Sequence, residues 1–484
     1  MRTVTALLVC LLATAACTAH RGAAAFPEPV PATPPDKPFV MAIAPLLVAT
    51  PGAEAEAVAE RERLERTLAA LVGAEVVRIV PAAGPPPAEP QQAAALARAS
   101  GADGILWGRV SVQEGTLTLQ RFFHTAGGWD IGGTWSPTTH VLADPGQRRA
   151  RDTDARYFMQ LVLFGVDLAF MLENQPEQSL RVLEVLRPGK DPEDFVTRNE
   201  GLIRRRWGMQ GRLLRDGEMT ETHYRSAIAW VDEQRQRHAG RPGFNAGAYD
   251  AQEALFTVGV ARGLLLQGRP GDVVPLLSRL VERNPSDIEG GQLLGRALLA
   301  VGEPGQAARA LEPVTRQGYD PVSPRLYAAA LAGQPDAAAR VREAFATLFS
   351  KYTDSAELRL LPYLASAGAE TGELKALAAS PANPWPAVVA RFLLGQLDEA
   401  ALWAGTRGSD SRTDRSNRCW VHYVLGEAEL AGLMPGRPGA PDREAARRHF
   451  EAALGTHSFA SDAYHLADFQ LEQLHRTGRR ASSR

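Results

Sequence analysis

Cysteine is scarce in this chain. Three occur among 484 residues, Cys10, Cys17 and Cys419, too few and too far apart for a disulfide framework, so packing must hold the fold. Lysine is rarer still for its class: Lys37, Lys190, Lys351 and Lys375 stand against 49 arginines. With abundant Ala, Gly and Pro, that bias reads as GC-rich codon usage rather than a selected surface chemistry. Neither sign of charge is in excess, since 53 basic and 55 acidic side chains leave a formal charge of −2. A chain so balanced is not a general polyanion binder, and no nucleic-acid partner is expected. Hydrophobic residues at 45% and charged residues at 22% exclude wholesale disorder. The length exceeds what one compact core accommodates, so two or more domains are expected.

Long apolar runs are also few. Residues 1–17 read MRTVTALLVCLLATAAC, a basic Arg2 followed by an apolar stretch and then small residues. The thirteen residues from Val4 to Ala16 make roughly 20 Å of helix, short of the roughly 30 Å hydrocarbon core. A cleavable export signal over residues 1–16 fits better than a permanent span. Ala15-Ala16-Cys17 resembles the lipobox of bacterial lipoproteins, although Thr14 stands where Leu is usual. That resemblance implies acylation of Cys17 and a lipid-anchored protein facing the periplasm of a bacterial cell envelope. Ordinary cleavage at the alanines, giving a soluble periplasmic product, is the alternative. Residues 17–38 carry Pro27, Pro29, Pro31, Pro34, Pro35 and Pro38, the composition of an extended tether.

After the tether, residues 39–145 alternate strand and helix patterns. FVMAIAPLLV reads as a buried strand, and Val58, Leu64, Leu68, Leu71 and Val72 recur at helical spacing up to Gly73. EVVRIV returns to strand character, and PQQAAALARASGAD is a second helix. GILWGRVSV and TLTLQRFFH flank Glu114-Gly115 as a hairpin. The order is strand, helix, strand, helix, strand, strand, a small α/β unit with parallel pairing closed by antiparallel strands. This order, ending in ALARASGADGILWGRVSVQEGTLTL, resembles the TolB amino-terminal-like domains and the related CsgG-type secretion lipoproteins. The resemblance implies binding or assembly and brings no catalytic residue. Gly127, Gly128, Gly132 and Gly133 around Trp129 and Trp135 suggest turns, since no P-loop lysine or helix start follows.

From residue 150 to 474 helical periods dominate. Val260, Ala261, Leu264, Gly268, Val273, Leu277 and Leu280 are matched 34 positions later by Leu294, Gly295, Leu298, Gly302, Ala307, Leu311 and Val314. That period and residue order resemble the tetratricopeptide repeat (TPR), which implies helix hairpins stacked into a solenoid with a partner-binding groove. Weaker copies occur at Val166, Phe170, Asn174, Ser179, Leu183 and Leu186, and in YVLGEAEL with Ala446, Phe450 and Ala453. Tyr157 to Leu172 has little polarity but contains Gln160 and Asp167. A central Asp costs about 2.5–3.5 kcal/mol on membrane insertion scales, so a buried helix is the better reading. Residues 475–484 read as a frayed basic tail.

Signs of chemistry are sparse. His422, His449, His457, His465 and His475 fall near the end, but without the one-turn spacing of a zinc helix, so no metal is expected. No G-x-S-x-G elbow occurs, and Cys419 beside Trp420 reads as a small core residue. Arg204, Arg205, Arg206, Arg212 and Arg215, with Asp194, Glu200, Asp216 and Glu218 nearby, suggest a solvated face or, more sharply, a docking patch for an anionic partner. Trp207, Trp230, Trp385, Trp403 and Trp420 read as core. The expectation is a two-part α+β protein without cofactor: an envelope-anchored, non-enzymatic adaptor binding a protein or peptide. The alternative is an assembly subunit of an envelope or secretion complex acting through the α/β unit.

Overall fold

The computed structural model describes residues 38–482, apart from 127–137, 142–146, 173–174, 188–194, 242–243, 333, 353–355, 367, 369–370, 381–383, 409–410 and 459–460. Cys17, the leader, the tether up to residue 37, the Gly127–Trp135 cluster and Asn174 lie outside the described residues.

The α/β order read from the sequence is present. Strands β1 (Phe39–Ile43) and β2 (Leu47–Val48) lead to helix α1 (Glu54–Leu71), strand β3 (Val77–Pro81) and helix α2 (Pro90–Ala99). Strands β4 (Gly104–Gln113), β5 (Thr116–Thr125) and β6 (Thr138–Val141) complete the sheet, ordered β3-β1-β4-β5-β6 with β2 beside β4. β1 runs parallel to β3 and β4, while β4, β5 and β6 are antiparallel. Glu114 and Gly115 both take positive φ, 50° and 73°. A two-residue turn of that hand matches the twist of the strands it joins.

Alternation along the strands separates two buried faces. Ala42, Ala44, Ile105, Trp107 and Phe122 pack against Ala93 and Ala97 of α2. Phe39, Met41, Ile43, Leu106 and Phe123 pack against Leu64 and Leu68 of α1. The second face is also covered by α3 (Gln147–Leu172), where Phe39 meets Phe170 edge-on at 5.8 Å. Helices α4 (Pro176–Val185), α5 (Phe195–Arg198) and α6 (Glu200–Leu213) join the same core through Leu183, Phe195, Ile203 and Trp207. One buried cluster therefore spans the expected boundary near 145–150. The sheet's core continues to α6, because the apolar face of β1 and β5 needs α3 to cover it.

The remainder is helical: α7 (Gly217–His238), α8 (Ala246–Leu266), α9 (Pro270–Arg283), α10 (Ile288–Val301), α11 (Pro304–Gln317), α12 (Val322–Leu331) and α13 (Ala337–Lys351). A 3-10 turn at Ala356–Leu360 precedes α14 (Leu361–Ala365), α15 (Gly372–Ala378), α16 (Pro384–Leu393), α17 (Glu399–Gly405), α18 (Ser411–Ala431), α19 (Arg443–Gly455) and α20 (Asp462–Ser482). The 34-residue repetition becomes two hairpins, α8–α9 and α10–α11. Gly268 (φ 70°) and Gly302 (φ 88°) turn the chain in the left-handed region that glycine enters without steric cost. Val260, Ala261, Leu264, Val273 and Leu277 are buried, as are Leu294, Leu298, Ala307 and Leu311. A Cβ on Gly295 would lie 2.4 Å from Leu311 Cγ, so its bare backbone lets the two helices close. First helices α8, α10 and α12 also pack on one another, as do second helices α11 and α13. Helix α20 runs on to Ser482, into the segment 475–484 read as a basic tail.

Candidate functional site

Helix α20 carries Tyr464, Leu466, Phe469 and Leu471 into the main helical core. On another stripe it presents His465, Asp468 and Glu472, at i, i+3 and i+7, to arginines from helices far away in sequence. Arg215 Nη1, just past α6, donates to Asp468 Oδ1 at 2.9 Å. Arg296 of α10 reaches Asp468 at 2.5 Å and grips Glu472 with two nitrogens at 2.6 and 2.9 Å. Arg262 of α8 pairs with Glu289, and Arg212 of α6 lies 3.4 Å from the His465 ring. Burial, with Arg212 and Arg262 adding repulsion, pushes His465 down to about 3, so it is neutral at pH 7. Burial alone favours a protonated Asp468, but Arg296 and Arg215 outweigh it and hold that carboxyl far below its usual range. Farther along, Arg325 of α12 pairs with Glu427 of α18, which accepts from Gln470 of α20. One side of α6, α8, α10 and α12 is thus covered by α20.

The basic stretch on and just past α6 divides between a buried pair and partly exposed ones. Arg206 forms a two-toothed pair with buried Asp167 of α3, Nε to Oδ2 at 2.7 Å and Nη2 to Oδ1 at 3.1 Å. Ser179 and Gln210 bond to the same carboxylate. Arg204 bonds Glu200 at 2.9 Å, Arg205 is half-buried, and Arg212 and Arg215 belong to the α20 cluster. Arg204, paired with Glu200 on a partly exposed face, fits the solvated-face reading, whereas Arg206 is buried.

An open cleft of about 450 Å³ lies where α7 ends and α8 begins. Trp230, Gln234 and His238 contribute from one stripe of α7, spaced four apart. Arg241, Phe244 and Asn245 come from the connection, Ala248, Tyr249 and Gln252 from the first turns of α8, and Arg198 from α5. The local fold fixes these groups. Asn245 caps α8 by accepting from the Ala248 amide at 3.3 Å. Phe244 stacks on Tyr249 with centroids 5.5 Å apart, and the Tyr249 hydroxyl meets His238 Nδ1 at 2.8 Å. Trp230 lies flat on Gly201 of α6, where a Cβ would come within 2.4 Å of the indole. Arg235, on the neighbouring stripe, ties α7 to α8 by engaging Asp232, Asp250 and Glu253. Among the described residues the cleft is lined by two arginines, a histidine, three aromatic rings and three amides.

No family model, curated protein or solved structure matches this chain.

The remaining candidates settle into packing. His422 and His449, 27 residues apart, meet across α18 and α19 with Nδ1 atoms 3.3 Å apart. Burial pushes His422 down to about 4, and its neighbour adds repulsion. Among the described residues no three His, Cys, Asp or Glu side chains gather as metal ligands. Burial pushes the Cys419 thiol up to about 12, which removes the thiolate a nucleophile needs. Trp207 and Trp420 are buried, Trp230, Trp385 and Trp403 half-buried. No helix among the described residues is long and apolar enough to cross a membrane.

The sequence reading passed over the α20 cluster and the cleft. Each left a trace: a charged and histidine stripe at 465, 468 and 472 beside the apolar residues of α20, and an aromatic-amide-histidine stripe at 230, 234 and 238.

Proposed function

We propose that this chain is a non-enzymatic adaptor or scaffold, a TPR-like helical solenoid that binds a protein or peptide partner. A lipid on Cys17 and the proline-rich tether place it at a bacterial cell envelope. The observation that carries the reading is the pair of hairpins α8–α9 and α10–α11, offset by 34 residues, with matching turns and matching buried positions. A hairpin of this kind cannot bury its apolar side alone, and stacked copies make extended surfaces suited to partners rather than to a reaction centre. With α20 seated on the first helices, the partner surface is the rest of the array.

Crosslinking of the full chain in its native envelope, followed by mass spectrometry, tests this. A defined protein joined to residues 195–482 is expected. Crosslinks there no more specific than those of an unrelated envelope protein would sink the proposal. Labelling with a clickable fatty acid tests the anchor: wild type takes up label and Cys17→Ser does not, and equal labelling refutes it. One feature favours assembly through the α/β unit as a second reading. Strand β3 ends the sheet with its outer edge unpaired among the described residues, a template for strand addition. A closed multimer of the full chain in detergent, lost when Ile79→Pro removes one of the edge amides, would favour it.

A further inference from the structure

We propose that α20 is a releasable clasp: its charged stripe closes the first-helix side of the array, and parting from Arg215 and Arg296 opens that side to the partner. The inference rests on the adaptor reading and adds its regulation.

The two stripes of α20 serve different neighbours. Its backbone packs closest to α19 and α18, the hairpin just before it in the chain, and Phe469 and Leu471 are buried. Among the earlier helices of the array α12 comes nearest. Toward α6 and α10 it is long side chains that make the contact, Arg215 to Asp468 at 2.9 Å and Arg296 to Asp468 and Glu472 at 2.5 and 2.6 Å. Apolar packing thus holds α20 to its own end of the array, and charge holds it to the other end.

The arginines follow the repeat. Arg262 and Arg296 are 34 residues apart, each directly after a small buried residue, Ala261 or Gly295. Arg262 turns to Glu289 of the next first helix, whereas Arg296, one repeat on, turns to α20. Arg212 at the His465 ring and Arg325 at Glu427 complete a row with one guanidinium from each of α6, α8, α10 and α12. Opening of the clasp presents this row to a partner.

Exposure is graded along the contact, and that sets where it opens. The Arg215 side chain is 44% exposed and Glu472 27%, but Glu427 only 4%. Ion pairs near the surface contribute little net stability, because water and salt compete for both partners. Parting a buried pair leaves a stranded charge, which is far costlier. The Arg215 and Arg296 end therefore opens first, and the Arg325–Glu427 end, where α12 packs closest to α20, is the hinge. A partner that binds only the open array draws the equilibrium toward it.

Double electron–electron resonance tests the clasp on the full chain, with Cys10→Ser and Cys17→Ser leaving only buried Cys419. Nitroxide labels go on Gly305→Cys of α11 and Gly455→Cys at the end of α19, two glycines where an added Cβ meets nothing within 4 Å. At about 0.1 M NaCl one distance is expected. At about 1 M, where the screening length falls from about 10 to about 3 Å, a second and longer distance appears. Asp468→Asn with Glu472→Gln, which removes both charges from α20 and leaves the arginines in place, brings out the longer distance at 0.1 M. In the native envelope the same double variant, with Cys17 intact, raises the yield of partner crosslinked to α8 and α10. A single unchanged distance in wild type at 1 M NaCl overturns the clasp, as does one in the folded double variant. Should the double variant not fold, wild type at 1 M NaCl decides alone. An unchanged crosslinking yield in the folded double variant overturns its regulatory role. The two levels of the reading fail separately. A partner crosslinked in the envelope together with one fixed distance refutes the clasp and keeps the adaptor. A second distance without any crosslinked protein keeps the opening and refutes the adaptor.

Discussion

Asp167 sits in the apolar half of α3 and is fully buried, yet nothing near it in sequence shows what neutralises it. Its partner is Arg206, 39 residues on, drawn from a basic stretch that looks like surface when read alone. Two separate oddities in the chain are one interaction in the fold, and only the packing of α6 on α3 and α4 joins them. Removing one member of such a pair strands a buried charge, so Asp167→Ala is expected to lose about 3–5 kcal/mol in denaturant unfolding. Asp167→Leu with Arg206→Met replaces both by apolar groups and should fall within about 2 kcal/mol of wild type, because Ser179 and Gln210 still bond each other. If the double variant is as unstable as the single, the pair is not the reason. Acid sensitivity is also set residue by residue. His465 and His422 are held near 3 and 4 in the fold, against an ordinary 6.5, so the unfolded chain takes up protons that the fold refuses. Their stabilisation is complete above pH 6.5 and is lost as pH falls toward 4. Asp462 opposes them: burial, with Asp320 and Glu357 nearby, raises it to about 7, so its contribution is present below its unfolded value and fades as pH rises to 7. Two histidines outweigh one carboxyl between about pH 4 and 6.5. The melting temperature should therefore drop on acidification across that window, and His465→Gln should flatten the drop. An identical pH profile in the variant would show that His465 is not buried neutral where α20 meets α6 and α8.

At the scale of elements, what the sequence made legible was local. The 34-residue offset placed α8 to α11 because turn glycines and buried leucines are set by each hairpin's own geometry. The α/β order was readable for the same reason: strand alternation and helical period are short-range signals. Closure of the array by α20 was not readable, since Arg296 and Glu472 are 176 residues apart and nothing in either segment names the other. Close packing inside a hairpin can be tested by two glycines. Gly295→Val drives a branched side chain into Leu311 and is expected to cost on the order of 1–3 kcal/mol, read as a fall in melting temperature. Gly305→Ala in α11 meets nothing within 4 Å and should be neutral or slightly stabilising. Equal destabilisation by both would mean that helix propensity, not the α10–α11 contact, decides the outcome.

For the whole molecule, the informative boundary is the one the composition hid. The last strand signal in the sequence is TLTLQRFFH, so the sequence suggests that the sheet's domain ends by residue 145. Its hydrophobic core does not. Phe39, Met41, Ile43 and Phe123 face Phe158, Val162, Phe170 and then Ile203 and Trp207, so one side of the sheet is sealed by helices that the repeat pattern assigns to the array. The same fact explains why Tyr157 to Leu172 is apolar around most of its circumference: a helix sandwiched between a sheet and other helices has no solvent side to make polar. Charges follow the same seam, with Glu60 of α1 joined to Arg121 of β5 at 2.7 Å and Arg63 joined to Asp152 of α3 at 2.9 Å. A fragment of residues 38–145 therefore exposes the Phe39 face in water. It is expected to self-associate and bind hydrophobic dyes, and such association would reflect the missing α3 rather than a native assembly surface. A fragment of residues 38–213 restores α3 to α6 and should melt cooperatively as a monomer in calorimetry. If 38–145 alone is a dye-free monomer with a cooperative melt, the sheet does not need α3. The core would then end where the strands end, and α3 would belong to the array alone.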